Sequence, residues 1–125
     1  MFKRIININN YWKVIVYYNI DYNFFNYIEF DLLEYSTPVE KIKHIYYNMR
    51  HTAKAFTYSN NKHRVSIVGF NTHTNKYDYI NSIVHEAEHV KQAILAYYNV
   101  ENEGENAAYT IAYIATKMLQ LIIFD

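Results

Sequence analysis

The chain is organised around the stretch Ser82–Val90, which reads SIVHEAEHV. Its residues 85, 86 and 89 form an H-E-x-x-H pattern. In a helix, side chains four residues apart lie on the same face, so His85 and His89 can both point a ring nitrogen at one ion. Zinc accepts such nitrogens at about 2.0–2.1 Å and keeps an open position for water in catalytic sites. The spacing therefore predicts a zinc site on a helix.

Glu86 is the acidic residue inside this pattern. In a helix it is rotated by about 100° from His85, which would place its carboxylate beside the open position of the ion. There it could take a proton from a water molecule whose pKa zinc lowers to near 7. We therefore expect Glu86 to be a general base.

The surrounding sequence favours a helix. Neither proline nor glycine occurs between Tyr77 and Tyr98, and Asn75 or Asp78 can cap the helix start. Apolar residues recur at intervals of three and four, as in an amphipathic helix; they are Ile80, Ile83, Val84, Ala87, Val90 and Ile94. The opposite face carries both motif histidines, so we expect these rings to point away from the apolar stripe.

Length and composition limit the remaining possibilities. A chain of 125 residues predicts a single domain over residues 1–125. Its 12 basic and 12 acidic residues balance, so we expect neither nucleic acid nor an anionic membrane as a partner. Cysteine is absent, the apolar run at the N-terminus is too short for a signal peptide, and no stretch is long enough to span a membrane. A cytoplasmic location is the expectation.

The rest of the chain reads as alternating strands and helices. We predict strands at 12–18, 24–33, 56–58 and 64–70, and helices at 38–54 and 105–122. Residues 19–23 would form a hairpin turn, and Thr37 would cap the first helix in a capping box with Glu40. The final helix is apolar on most sides and should be mostly buried. The predicted fold class is α+β, with a small, mostly antiparallel sheet covered by helices.

This order of elements resembles the zincin metallopeptidases, in particular small gluzincin-like members. The motif segment also looks similar to short H-E-x-x-H proteins of phages and mobile elements. The resemblance covers roughly residues 64–115 and implies a minimal zincin-like fold. In that family the two motif histidines and a glutamate on the following helix bind zinc, and the motif glutamate is the general base.

The resemblance also implies a third metal ligand downstream of the motif. Glu105 is our choice, because it begins the final helix on the same face as Tyr109. A helix that continues well past His89 would leave Glu105 far from the ion, so Glu101 and Glu103 stay open as alternatives. His73, just before the motif helix, is a weaker one.

Two further roles follow from the resemblance. Tyr109 would hydrogen-bond the developing oxyanion, and strand 64–70 would align an extended peptide by edge pairing. The expected function is zinc-dependent hydrolysis of peptide bonds in a peptide or protein substrate. Glu88 departs from the family pattern, in which the middle motif positions are uncharged. The alternative is therefore a binding or structural protein with a degenerate site.

Overall fold

The structure is a computed structural model that describes residues 1–8, 10–99 and 104–124, with side chains up to residue 119. The chain divides into two compact units, Met1–His73 and Thr74–Asp125. The first unit contains a four-stranded sheet and two α-helices, and the second contains two longer α-helices. The predicted α+β class is confirmed.

The elements are β1 (Phe2–Ile8), β2 (Trp12–Tyr18), α1 (Phe25–Glu34), α2 (Val39–His51), β3 (Ala55–Asn60), β4 (Val65–Phe70), α3 (Lys76–Tyr97) and α4 (Glu105–Phe124). A short 3-10 turn at Tyr22–Phe24 leads into α1. The predictions for β2, α2, β3, β4, α3 and α4 agree with these bounds to within a few residues. β1 was not predicted.

The sheet is mixed, with strand order β1-β2-β4-β3. The two outer pairs are antiparallel, whereas β2 and β4 run parallel, with Lys13 opposite Val65 and Tyr17 opposite Gly69. Apart from the half-buried Lys13, every residue of these two strands is buried, which explains their nearly continuous apolar sequences. Because β4 has a hydrogen-bonded neighbour on each side, the prediction that strand 64–70 binds a peptide by edge pairing is wrong.

The segment predicted as a strand at 24–33 is instead helix α1. Its aromatic and β-branched residues favoured a strand, but the buried apolar positions are Phe25, Ile28 and Leu32. Intervals of three and four residues place these side chains on one face of a helix, whereas a strand would bury alternate residues. The predicted hairpin turn at 19–23 is wrong for the same reason, because those residues lead into a helix.

The predicted capping box at α2 is also wrong. The N-cap is Pro38, and no side chain accepts a hydrogen bond from the first turn. Thr37 is buried, and its hydroxyl oxygen has no hydrogen-bond partner among the described residues. Ser36, just before it, has a left-handed backbone (φ 64°).

One face of the sheet is covered by α1 and α2 within the first unit. Their apolar side chains form one cluster with those of the strands: Ile15, Tyr17, Ile20, Phe25, Ile28, Leu32, Ile42, Ile45, Met49, Phe56, Val65 and Ile67. A buried carboxylate at the edge of this core, Asp31, accepts hydrogen bonds from the Tyr17 hydroxyl and, at 2.9 Å, from the Lys3 ammonium. These two contacts of Asp31 connect α1 with β1 and β2. Burial, together with the adjacent carboxylate, raises the pKa of Tyr17 well above its usual value.

Polar residues also cross the sheet. The indole N–H of Trp12 on β2 donates to the hydroxyl of Ser66 on β4 at 2.9 Å, and that hydroxyl lies 2.7 Å from the hydroxyl of Ser59 on β3. Ser66 is fully buried, so these bonds satisfy a group that would otherwise be costly to bury. The chain of hydrogen bonds fixes the register of three neighbouring strands.

In the second unit, α3 packs against α4. The side chain of Asn75, one of the two predicted caps, caps α3 by accepting from the backbone N–H groups of Tyr77 and Asp78. The helix ends at Tyr97, and Asn99 follows in a left-handed conformation (φ 56°), which asparagine tolerates better than most residues.

Helix α4 is less buried than predicted. Up to residue 119, only Ala107, Ile114 and Met118 are buried. Tyr109 and Tyr113 are exposed. Across the described residues, no helix combines the length and apolar character that a bilayer crossing requires.

Gly69 provides a test of the packing between β4 and its neighbours. A Cβ at this position would lie 2.3 Å from a ring carbon of Phe56 and 2.9 Å from Cδ1 of Ile20. We expect Gly69→Ala to lower the free energy of unfolding by about 1–3 kcal/mol through overpacking. Urea denaturation followed by circular dichroism measures this loss.

The control is the same substitution in a Phe56→Leu background. Removing the ring should relieve the clash, so Gly69→Ala should cost less there than in the wild type. An equal cost in both backgrounds would show that the ring is not the cause.

Candidate functional site

The two motif histidines lie together on the exposed face of α3. The Nε2 atoms of His85 and His89 are 3.2 Å apart, and their rings meet edge to face with centroids 4.8 Å apart. Both residues are exposed. The prediction that the rings point away from the apolar stripe is confirmed.

This separation fits two ligands of one metal ion. Two nitrogens bound at 2.0–2.1 Å to a tetrahedral ion are about 3.3–3.4 Å apart, because the angle between the two bonds is near 109°. The 3.2 Å between the Nε2 atoms of His85 and His89 is close to that value. The same distance is that of an N–H···N hydrogen bond between the two rings, so an ion would replace this bond and both nitrogens would turn their lone pairs toward it.

Glu86 lies on a different face of the helix from the histidine pair. Its side chain is buried, with 6% of the residue exposed, beside the buried Ala87 and Val90. The structure thus brings together the two predicted ligands, but it places the predicted general base on the buried side of α3 rather than on their open face. The reason is the helical rotation of about 100° per residue combined with an apolar stripe that extends as far as Glu86.

Glu88 has partners of its own. Its carboxylate forms an ion pair with the buried Lys91 at 2.7 Å and accepts a hydrogen bond from Gln92 at 3.3 Å. The hydrogen bond from the Lys91 ammonium lowers the pKa of Glu88 below its usual value. The extra carboxylate in the motif is therefore held along the helix by a lysine one turn further on.

The buried lysine was missed in the sequence. Only 6% of Lys91 is exposed, although lysine is rarely buried without a partner. The spacing of three residues between Glu88 and Lys91 was a usable signal, because acidic and basic residues three or four apart on a helix form pairs. We infer that this pair allows the ammonium group to lie on the buried face of α3.

The third metal ligand is not found among the described residues. Within residues 1–8, 10–99 and 104–124, no group of three or more histidine, aspartate or glutamate side chains is arranged to hold an ion. Glu105, our predicted ligand, is exposed at the start of α4 and does not join the histidine pair. The physical reason is that α3 continues for eight residues beyond His89, about 12 Å along its axis, before the chain can return.

The other predicted site residues lie elsewhere. Tyr109 is 71% exposed on α4. His73 is half-buried, and its Nδ1 lies 2.7 Å from the backbone oxygen of Asn71. Glu101 and Glu103 lie outside the described residues.

Comparison with known proteins gives no relative. No family model matches the chain, and neither a curated protein nor a solved structure matches it. Together with the lack of a three-ligand group among the described residues, this overturns the resemblance to the zincin metallopeptidases and to their small gluzincin-like members. A three-residue pattern on a helix is short enough to occur outside that family, and here only the pattern itself matched.

The Glu88–Lys91 ion pair predicts a dependence of stability on pH. Glu88→Gln should lower the free energy of unfolding by about 0.5–2 kcal/mol at pH 7, a modest loss because the carboxylate is about one-third exposed. Since the pKa of Glu88 is lower in the folded state than in the unfolded state, its contribution is present at neutral pH and is lost as the pH falls through the folded-state value. The difference between wild type and variant should therefore narrow below about pH 4.

Thermal unfolding at several pH values measures this difference. Glu40→Gln is the matched control, because Glu40 faces Lys43 across the same three-residue spacing at 3.7 Å with both side chains exposed. Glu40→Gln should lower the free energy of unfolding by less than Glu88→Gln does. Equal costs for the two variants at all pH values would mean that the burial of Lys91 does not strengthen its pair.

Proposed function

We propose that this protein binds a zinc ion through His85 and His89 and uses it to hydrolyse peptide bonds. The observation that supports zinc binding is the 3.2 Å between the two Nε2 atoms. The exposure of both rings supports it further, because an ion can approach from solvent. Neutral imidazole is also among the ligands that zinc prefers.

Residues of this chain would bind the ion at such a site. When bound, zinc would polarise a substrate carbonyl and make water more acidic. His85 and His89 would hold the ion, and an acid from the connection after α3, Glu101 or Glu103, would complete the ligand set.

Glu86 would move the proton. It adjoins His85 in the chain, and a carboxylate is a common general base in such reactions. In the described conformation it is buried, so this role requires its side chain to turn toward the face that carries the histidines. The burial of the carboxylate is the main observation against catalysis.

A second function is favoured by that same observation. The protein would bind a metal, or a partner, through the exposed face of α3 without catalysing a reaction. Glu86 would then stay on the buried face, and Glu88 would stay paired with Lys91. The two proposals agree on the histidine pair and differ in whether Glu86 takes part.

Removal of either histidine should abolish tight zinc binding. We expect His85→Ala and His89→Ala each to weaken zinc affinity by about 100-fold or more, because each removes one of two ligands held on the same helix turn and loss of an outer-shell partner alone costs 10–100-fold. Isothermal titration calorimetry with zinc on the full chain measures the affinity.

His44→Ala is the control for that titration, since His44 is exposed on α2 and contacts Asn48 rather than another histidine. Its zinc affinity should equal that of the wild type. Stoichiometric zinc binding that survives both α3 substitutions would rule out the pair as the site. Substituting Glu101 and Glu103 by glutamine, one at a time, would identify the third ligand.

Glu86→Gln separates the two proposals. If Glu86 is the general base, this variant should retain zinc and lose about 10²–10⁴-fold in turnover of a fluorogenic peptide mixture. Glu88→Gln, which alters the neighbouring carboxylate, should keep most of the activity. Zinc-loaded wild-type protein that cleaves no peptide would favour the binding protein, and unchanged turnover in Glu86→Gln would exclude Glu86 as the base.

A further inference from the structure

A small cleft in the first unit is lined by basic and polar groups. It has a volume of about 270 Å³ and lies where the β1–β2 turn, the end of α1 and the β3–β4 turn meet. Its lining residues are Asn7, Asn10, Tyr11, Trp12, Lys13, Tyr35, His63, Arg64 and Val65. Lys13 and Arg64 are the basic residues of this lining, and no aspartate or glutamate is among its described members. A cleft lined by basic side chains attracts anions.

Lys13 is held in position within the cleft. Its ammonium donates a hydrogen bond to the hydroxyl of Tyr35 at 2.6 Å and lies 5.0 Å from the centre of that ring. Both groups belong to Tyr35, and the ammonium has further N–H groups to donate to a ligand. Because its side chain is already ordered, binding an anion would cost less conformational entropy than at a free surface lysine.

The wall around Tyr35 is fixed by hydrogen bonds between elements. The side-chain amide of Asn60 donates to the backbone oxygen of Tyr35 at 2.9 Å, and its oxygen accepts from the backbone N–H of His63 at 3.0 Å. The ring of His63 then packs edge to face on Tyr35, with centroids 5.6 Å apart. The end of β3 thus holds α1 and the β3–β4 turn against each other.

Arg64 occupies a backbone conformation that suits glycine or asparagine better. Its φ is 54°, in the left-handed region, at the last position of the β3–β4 turn. A residue with a long side chain is unfavourable there. Strained backbone conformations are concentrated at functional sites. The guanidinium group, with its planar set of donors, is well suited to phosphate oxygens.

We propose that this cleft binds a phosphate group, either as the free anion or as part of a small phosphorylated molecule. Lys13 and Arg64 would supply the charge, and Tyr35, His63 and Asn10 would add hydrogen bonds. The proposal is independent of the histidine pair on α3, because none of the lining residues belongs to that helix. Exposed aromatic surface at Tyr11 would contact the organic part of a phosphorylated ligand.

The test is calorimetric titration of the full chain with inorganic phosphate, ribose 5-phosphate and adenosine 5′-monophosphate at low salt. A chelator is present throughout, so that no anion is bound through a metal on α3. We expect saturable binding that Arg64→Asn and Lys13→Gln each weaken about tenfold or more, the usual effect of removing a charged hydrogen-bond donor. Tighter binding of an organic phosphate than of inorganic phosphate would show that the ligand is a small phosphorylated molecule. Equal affinities would show that only the phosphate group is recognised.

Lys62→Asn is the matched control, because it removes the same charge from the same turn at a position that does not line the cleft. It should change the affinity less than threefold, since its charge is not directed at the ligand. Equal losses in Lys62→Asn and Arg64→Asn would overturn the proposal, as would binding that does not saturate.

A stability measurement separates loss of the site from loss of the fold. Arg64→Asn should unfold at the same temperature as the wild type or higher, because asparagine fits the left-handed backbone better. Weaker phosphate binding in a protein of undiminished stability supports the cleft. Phosphate affinity that is unchanged in this variant contradicts it.

Discussion

The parallel pairing of β2 with β4 is the constraint on which the first unit depends. It joins two strands that are far apart in the chain, and both are almost completely buried. The hydrogen bond from Trp12 to Ser66 fixes their register, and with it Lys13 lies opposite Val65. The β1–β2 turn and the β3–β4 turn therefore lie side by side, and the basic cleft is a consequence of this pairing.

In the second unit, the rotation of a single helix divides the motif between two environments. His85 and His89 are one turn apart on the exposed face of α3, whereas Glu86 and Lys91 are on the buried face. A site that uses both histidines and Glu86 must therefore recruit a group from each face. The exposed pair offers two nitrogens to an ion, whereas the third protein ligand of a catalytic zinc site is not found among the described residues.

The ion pair between Lys91 and Glu88 on α3 offsets the cost of burying the lysine. Lys91 is almost fully buried, and its ammonium lies 2.7 Å from the carboxylate of Glu88, which is itself about one-third exposed. Burying an unpaired ammonium would be costly, so the pair is best seen as a condition for packing this face of the helix. The departure of Glu88 from an uncharged motif position thus has a structural explanation that does not involve catalysis.

Sequence periodicity determined most of the local structure. The apolar intervals of α3 predicted both its extent and the exposed position of its histidines, because helical geometry is set within one segment. Composition gave the wrong prediction for α1. Its aromatic residues favoured a strand, whereas the spacing of Phe25, Ile28 and Leu32 is that of a helix. Thr37 was likewise predicted to cap α2 from a local sequence pattern, whereas its hydroxyl is buried in the structure.

Contacts between distant segments could not be read from the chain. The order β1-β2-β4-β3 places β4 in the interior of the sheet, and no local pattern distinguishes an interior strand from an edge strand of similar composition. The cleft that contains Lys13, Tyr35 and Arg64 is formed where the β1–β2 turn, the end of α1 and the β3–β4 turn meet, and these segments are far apart in the chain. The sequence by itself determined where α2, α3 and α4 run and which face of α3 carries the two imidazoles, since these depend on spacing along one segment. Only the tertiary structure decided strand order, the burial of Glu86 and the meeting of the basic residues, since these depend on which distant segments pack together.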